Sequence, residues 1–274
     1  MPVIKTGPFV VDYIDAGSGP AIVLLHSSAS GNRQWRPLID GLKDRHRVIA
    51  VNLFGYGGTS PWPGKRPLTA ADQVELVGGA VANVAGPFAL VGHSMGAVVA
   101  FEAAARLEKR VSVLVAFEPI FFADLKTHGP ADAFTEIDGM AERFNQLATR
   151  DDWDGVGRVF IDYWTAAGAW EAMSDKSRQY TRAMLPAVVQ EWHMVMSGAR
   201  PLEAWQAIAA PVHIIHASDT RAPTRAIAKL LGKTYPHWHV HELASGGHMA
   251  PLTRPDLVNS LIEQAINAEM AHEL

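Results

Sequence analysis

Ser94 stands between two glycines in "VGHSMGAVVAFEAA" (91–104), and the spacing Gly92-His93-Ser94-Met95-Gly96 is the first place where residue types could carry chemistry. An apolar run, "PFALVG" (87–92), enters this pentapeptide, and a stretch with helical spacing leaves it. A serine held on so tight a strand-to-helix turn takes a strained backbone and projects its hydroxyl above the sheet. Glycines two residues to either side remove the side chains that would collide across the turn. The Met95 amide, at the helix N-terminus, then points at any oxyanion formed when Ser94 attacks a carbonyl.

A hydroxyl nucleophile needs a base, and the base needs an orienting acid. Among 12 histidines, His248 in "SGGHMAPLTRPDLV" alone combines a Gly-rich loop with a position just after a strand-like segment (238–243). Asp219 in "HIIHASDTRAP" lies just past the preceding strand-like segment and is the expected acid. The chain order Ser94, Asp219, His248 is the one this strand–turn–helix architecture requires. Glu118 in "VAFEPIFF" also follows a strand and is the alternative acid. Pro119 restricts the backbone there, which favours Asp219.

Such groups converge only if the elements carrying them lie side by side. "AIVLLH" (21–26), "RVIAVNL" (47–53), "PFALVG" and "VSVLVAF" (111–117) are continuous apolar runs, as expected for strands covered on both faces. Helical stretches at 35–44, 69–84 and 95–107 separate them, and "FVVDYIDAG" (9–17) precedes them as a further strand. From 119 to 205 only helix-like segments occur; then "PVHIIHA" (211–217), a helix over 224–232, "WHVHEL" (238–243) and a helix over 255–268 restore the alternation. Strand and helix in alternation predict an α/β fold, a mostly parallel sheet with helices on both faces. The expected organisation is a core of 1–118 and 206–274 interrupted by a helical insertion, 119–205.

Composition narrows the function classes. The 274 residues are 48% hydrophobic and 19% charged, as in an ordinary globular protein. With no cysteine, thiol catalysis and thiolate metal sites are excluded. A net charge of -4 gives no reason to expect nucleic acid or an anionic membrane as partner. The start, "MPVIKTGPFVVDYIDAG", lacks a signal-peptide pattern, and no apolar run approaches a membrane span, so a cytoplasmic protein, monomer or homodimer, is expected.

With these segments together, "LLHSSAS" (24–30), "NLFGYGGTS" (52–60), "GHSMG" (92–96), "HASDTRAP" (216–223) and "GGHMAPLTRP" (246–255), nearly the whole chain resembles the α/β-hydrolase fold superfamily. The resemblance implies an eight-stranded sheet, a helical cap formed by the insertion, and a Ser-His-acid triad needing no cofactor or metal. It implies oxyanion amides from Met95 and Ser28. Two departures stand out: Ser27 replaces the glycine that usually follows His26, and Asn52 replaces the usual aspartate, as a turn-forming residue.

The expected activity is hydrolysis of an ester, thioester, lactone or similar small acyl compound. Alternatives are cleavage of a carbon–carbon bond in a ring-cleavage product and a slow-turnover ligand receptor on the same fold. Epoxide hydrolysis and dehalogenation fit poorly, because relatives with those activities carry aspartate where Ser94 stands. Phe121, Phe122, Trp164 and Met184 are the expected walls of an apolar pocket for an acyl or aryl group. His237, His239 and His241 alternate along one strand, but no matching carboxylate cluster is evident in the sequence, so no metal is expected.

Overall fold

In the computed structural model, which describes residues 2–198 and 200–270, the apolar runs become strands. These are β1 Val3–Thr6, β2 Phe9–Ala16, β3 Ala21–Leu25, β4 Arg47–Val51, β5 Phe88–His93, β6 Val111–Phe117, β7 Val212–Ala217 and β8 His239–Leu243. They form one eight-stranded sheet in the order β1-β2-β4-β3-β5-β6-β7-β8. The pairs β1–β2 and β2–β4 are antiparallel, and every other pair is parallel. The short edge strand β1 carries no apolar run and is not apparent in the sequence.

Alternation along each central strand sends side chains to two separate cores. Ile22, Leu24, Val113, Val115, Ile215 and Leu243 face one side, under helices α1 (Arg36–Leu42) and α11 (Pro255–Met270). Val23, Leu25, Leu90, Leu114 and Ile214 face the other, under α2 (Ala70–Ala80), α3 (Met95–Leu107) and α9 (Ala222–Thr234). Strands buried on both faces explain why these runs are continuously apolar. Thr69 starts α2 with a capping box, exchanging hydrogen bonds with Asp72.

Between β6 and β7 the described residues hold helices and no strand. These are α4 (Phe122–His128), α5 (Ala131–Ala148), α6 (Trp153–Trp164), α7 (Ala169–Ala172) and α8 (Asp175–Ser197), followed by a 3₁₀ turn at Leu202–Ala207. Their apolar faces join the core on the α2–α3–α9 side. A short helix α10 (Ala250–Thr253) precedes α11. Among the described residues, no helix is long and apolar enough to cross a membrane.

Candidate active site

Ser94 sits in the left-handed region, at φ 57° and ψ −117°, where β5 turns into α3. A side chain is strained there, so the conformation persists only because the surroundings dictate it. The Ser94 amide donates to the Phe117 carbonyl at 2.9 Å, tying the turn to the end of β6. A Cβ on Gly92 would lie 2.5 Å from the Ala97 Cα, and one on Gly96 would lie 2.4 Å from the His26 carbonyl. The flanking glycines are thus required by close approach of backbone on both sides.

His248 and Ser94 are brought together: His248 Nε2 lies 2.9 Å from Ser94 Oγ. The carboxylate on the other ring nitrogen is Glu118, whose Oε2 lies 2.7 Å from Nδ1. Glu118 is fully buried, and Ala217 N (2.9 Å) and Thr220 Oγ1 (2.7 Å) also donate to it. The expectation that Asp219 contacts His248 is corrected by this geometry. Asp219 is exposed and instead accepts from the Gly246 and Gly247 amides, at 3.1 and 2.9 Å. Those two bonds hold its carboxyl below the usual carboxylate range.

Strand adjacency explains the exchange. β6 pairs directly with β5, with His93 opposite Phe117, so Glu118 emerges beside Ser94. β7 lies one strand further out, and its turn reaches only the loop before His248. Pro119 does not prevent the reach, because Glu118 itself turns the chain at φ 46°.

Two neutral histidines frame the site. His93 is held well below its ordinary pKa by burial; it bonds through Nε2 to the His248 carbonyl at 2.9 Å and through Nδ1 to Gln34 Nε2 at 3.1 Å. Those partners require Nε2–H to donate and Nδ1 to accept. His26 is lowered to about 4 by burial, and its Nε2 accepts from the Leu53 amide.

The loop after β3 carries Ser28, expected to supply the second oxyanion amide. Ser27, where a glycine was expected, bonds Gln34 Oε1 through both its amide and its hydroxyl, each at 3.0 Å. Its hydroxyl also meets Ser30 Oγ at 2.8 Å, so Ser27 braces the loop internally. Asn52 does more than make a turn, accepting from Asn32 N and donating to Asp12.

Glu191, on α8, is a site residue missed in the sequence. Its Oε2 accepts from Ser28 Oγ at 2.5 Å and from Tyr56 OH at 2.9 Å. Tyr56 OH in turn accepts from the Ala29 amide at 3.0 Å. Glu191 is fully buried and its Oε1 has no partner among the described residues. Burial outweighs the two hydrogen bonds and raises its pKa from 4.5 to about 8, so the carboxyl is mostly uncharged near neutrality. A signal was available: Glu191 falls in the apolar phase of α8, in step with Met184, Val188 and Val195.

Ser28, Ser94, Met95, Glu191 and His248 line one cavity of about 350 Å³. Ile120, Phe160, Ile161, Trp164, Trp192 and Leu252 supply most of its apolar wall. Trp164 also packs on the His248 ring, centroids 4.1 Å apart. Of the expected pocket residues only Trp164 lines this cavity. Phe122 stacks between Trp164 and Trp192, Met184 is buried, and Phe121 lines a separate, smaller cavity.

Comparison with known proteins accords with this architecture. A pimeloyl-(acyl-carrier protein) methyl ester esterase from Aliivibrio salmonicida is 33% identical over 126 residues, 44% of this chain and 46% of that protein. The chain spans less than half the length of this relative and of two other curated relatives it matches. Among solved structures, an alpha/beta hydrolase from Sphaerobacter thermophilus superimposes with a TM-score of 0.76 at 20% identity, over 97% of this chain and 100% of that one. The enol-lactonase from Burkholderia xenovorans gives 0.74 at 17% identity, over 97% and 100%. Residues 22–261 match the alpha/beta hydrolase family, and the chain belongs to that family.

Proposed function

We propose that this protein is a serine hydrolase that cleaves a small, mainly apolar ester, thioester or lactone through an acyl-enzyme. The observation that carries the reading is the unbroken relay from Ser94 Oγ to His248 Nε2 (2.9 Å) and from His248 Nδ1 to Glu118 Oε2 (2.7 Å). In this reading His248 removes the Ser94 proton as Oγ attacks the substrate carbonyl, and Glu118 holds the imidazole in the required tautomer. The Met95 and Ser28 amides receive the oxyanion. His248 returns the proton to the leaving group, then activates water to release the acyl group. Trp164 shields the imidazole from bulk water, and the helices between β6 and β7 act as the cap. The esterase relative and the cavity's apolar wall favour acyl transfer.

A fluorophosphonate probe should label Ser94, and Ser94→Ala should abolish both labelling and turnover of aryl esters. Labelling that persists in the Ala variant overturns the assignment. Across acyl chains of increasing length, kcat/KM should rise by about 0.8 kcal/mol of transition-state binding per buried methylene until the cavity is filled. A preference for charged or very polar esters would instead refute the apolar pocket.

A further inference from the structure

A second cluster of chemistry-bearing side chains lies at the opposite end of the strands from Ser94. His213 is near the start of β7, His239 begins β8 and His241 is at the middle of that five-residue strand. His213 pairs with His239 across the ladder, and Ile215 pairs with His241. The three histidines therefore share the sheet face covered by α11. That helix contributes Glu269, whose Oε1 lies 3.2 Å from His213 Nε2 although 56 residues separate them. This is the carboxylate that strand periodicity alone does not reveal.

Ligand atoms of His213, His239 and Glu269 all lie within 4.8 Å of one another. A tetrahedral ion bound at about 2.0–2.1 Å by nitrogen and oxygen sets its ligand atoms about 3.3 Å apart. The separation of 3.2 Å between His213 Nε2 and Glu269 Oε1 is already that edge. His239 is exposed, and its ring stacks on His213 with centroids 4.6 Å apart, so a small rotation closes the third side. His213 is buried, with little freedom to move.

The remaining ring nitrogen of His213 matters as much. Its Nδ1 lies 3.0 Å from His241 Nε2. If Nδ1–H donates there, Nε2 presents its lone pair towards the Glu269 oxygen, and two acceptors then face each other. A cation between them resolves that opposition. This is the proton arrangement of metal-bound histidines, whose second N–H is fixed by an outer partner.

We propose that His213, His239 and Glu269 bind one zinc-class divalent ion, with water in the fourth position and His241 orienting His213. Imidazole and carboxylate donors suit zinc, cobalt or nickel and discriminate against magnesium. The ion would join the edge strand β8 to β7 and to the C-terminal helix α11. Its role is structural, remote from the hydrolytic site.

The test uses the full chain, stripped with chelator and titrated with zinc chloride by calorimetry. One saturable site is expected, with a Kd of about 10 μM or tighter. Cobalt should give the visible absorption of a tetrahedral ion, and zinc should raise the unfolding temperature. His239→Ala and Glu269→Gln should each weaken binding more than tenfold, and His241→Ala by about 10–100-fold. Ser94→Ala should bind zinc as the unmodified chain does. Binding weaker than about 10 μM, or binding unchanged by both His239→Ala and Glu269→Gln, would overturn the site. The exposed position of His239 makes its variant safe for folding.

Discussion

The ends of β6 and β7 both deliver a carboxylate towards His248, yet the two groups live in opposite surroundings. Glu118 is fully buried and takes hydrogen bonds from Ala217, Thr220 and His248. Asp219 is exposed and takes its bonds from two backbone amides of the loop before His248. A buried charge persists only where donors surround it, and each donor also fixes its position. The β6 end is therefore built to hold a proton-bearing ring in one orientation, and the β7 turn is built to shape a loop. Emergence from a strand end does not separate these roles, whereas direct contact with the ring, burial and the count of donors do.

The comparison breaks most sharply at Glu118. Glu118→Gln keeps an oxygen for the Ala217 amide but puts an NH₂ group opposite both His248 Nδ1 and Thr220 Oγ1. The imidazole then loses the partner that selects its tautomer. The expected loss in kcat is about 10⁴, with folding checked by circular dichroism. Should Glu118→Gln remain near full activity while Asp219→Asn falls by that factor, the acid belongs to the β7 turn.

The same contrast explains what is legible in the sequence. Ser94 is encoded locally: five consecutive residues specify a turn whose glycines are needed by the immediate backbone. His248 is legible because a Gly-rich loop follows the last strand. The carboxylate bonded to His248 is different, since its identity depends on which strand lies beside β5, and chain order alone does not state that. The pocket is harder still. Phe121 and Phe122 differ by one residue, but one faces a side cavity and the other stacks inside the helical layer. Helical phase across several packed helices decides which aromatic lines the cavity beside Ser94. The main architecture is legible because parallel strands buried on both faces leave continuous apolar runs.

Glu191 gives an intermediate test of how donors govern a buried carboxylate. Two donors share one of its oxygens and the other has no partner among the described residues, so its burial is only half offset. Its pKa is about 8 in the fold against 4.5 ordinarily, so the protonated form is the better accommodated one. The folded state then binds more protons than the unfolded chain between those values. The stability Glu191 contributes is complete below about 4.5 and is lost as pH rises towards about 8. Glu191→Gln retains an acceptor oxygen without the charge. It should therefore gain stability relative to the unmodified chain from pH 5 to pH 8, on the order of a few kcal/mol at most. Thermal unfolding of both proteins across that range measures the difference. A difference that does not change with pH would show that Glu191 does not titrate as described.

The smallest effect belongs to Asp219, and it sharpens the comparison from the exposed side. Asp219→Asn leaves one carbonyl oxygen to accept from Gly246 or Gly247 and surrenders the second bond. An exposed hydrogen bond of this kind contributes about 0.5–1.5 kcal/mol, and solvent can replace part of it. His248 remains anchored independently, by Glu118 on Nδ1 and by His93 on its carbonyl. The loss in kcat/KM should therefore stay below about tenfold, equivalent to about 1.4 kcal/mol. Hydrogen exchange offers a readout that activity does not: the Gly246 and Gly247 amides should exchange faster in Asp219→Asn, while the Ala217 amide, bonded to Glu118, should keep its protection. Unchanged exchange at both glycines would mean that Asp219 does not order the loop. Faster exchange at Ala217 as well would mean that the β6 and β7 ends are one cooperative unit, and the division of roles drawn between the two carboxylates would fail.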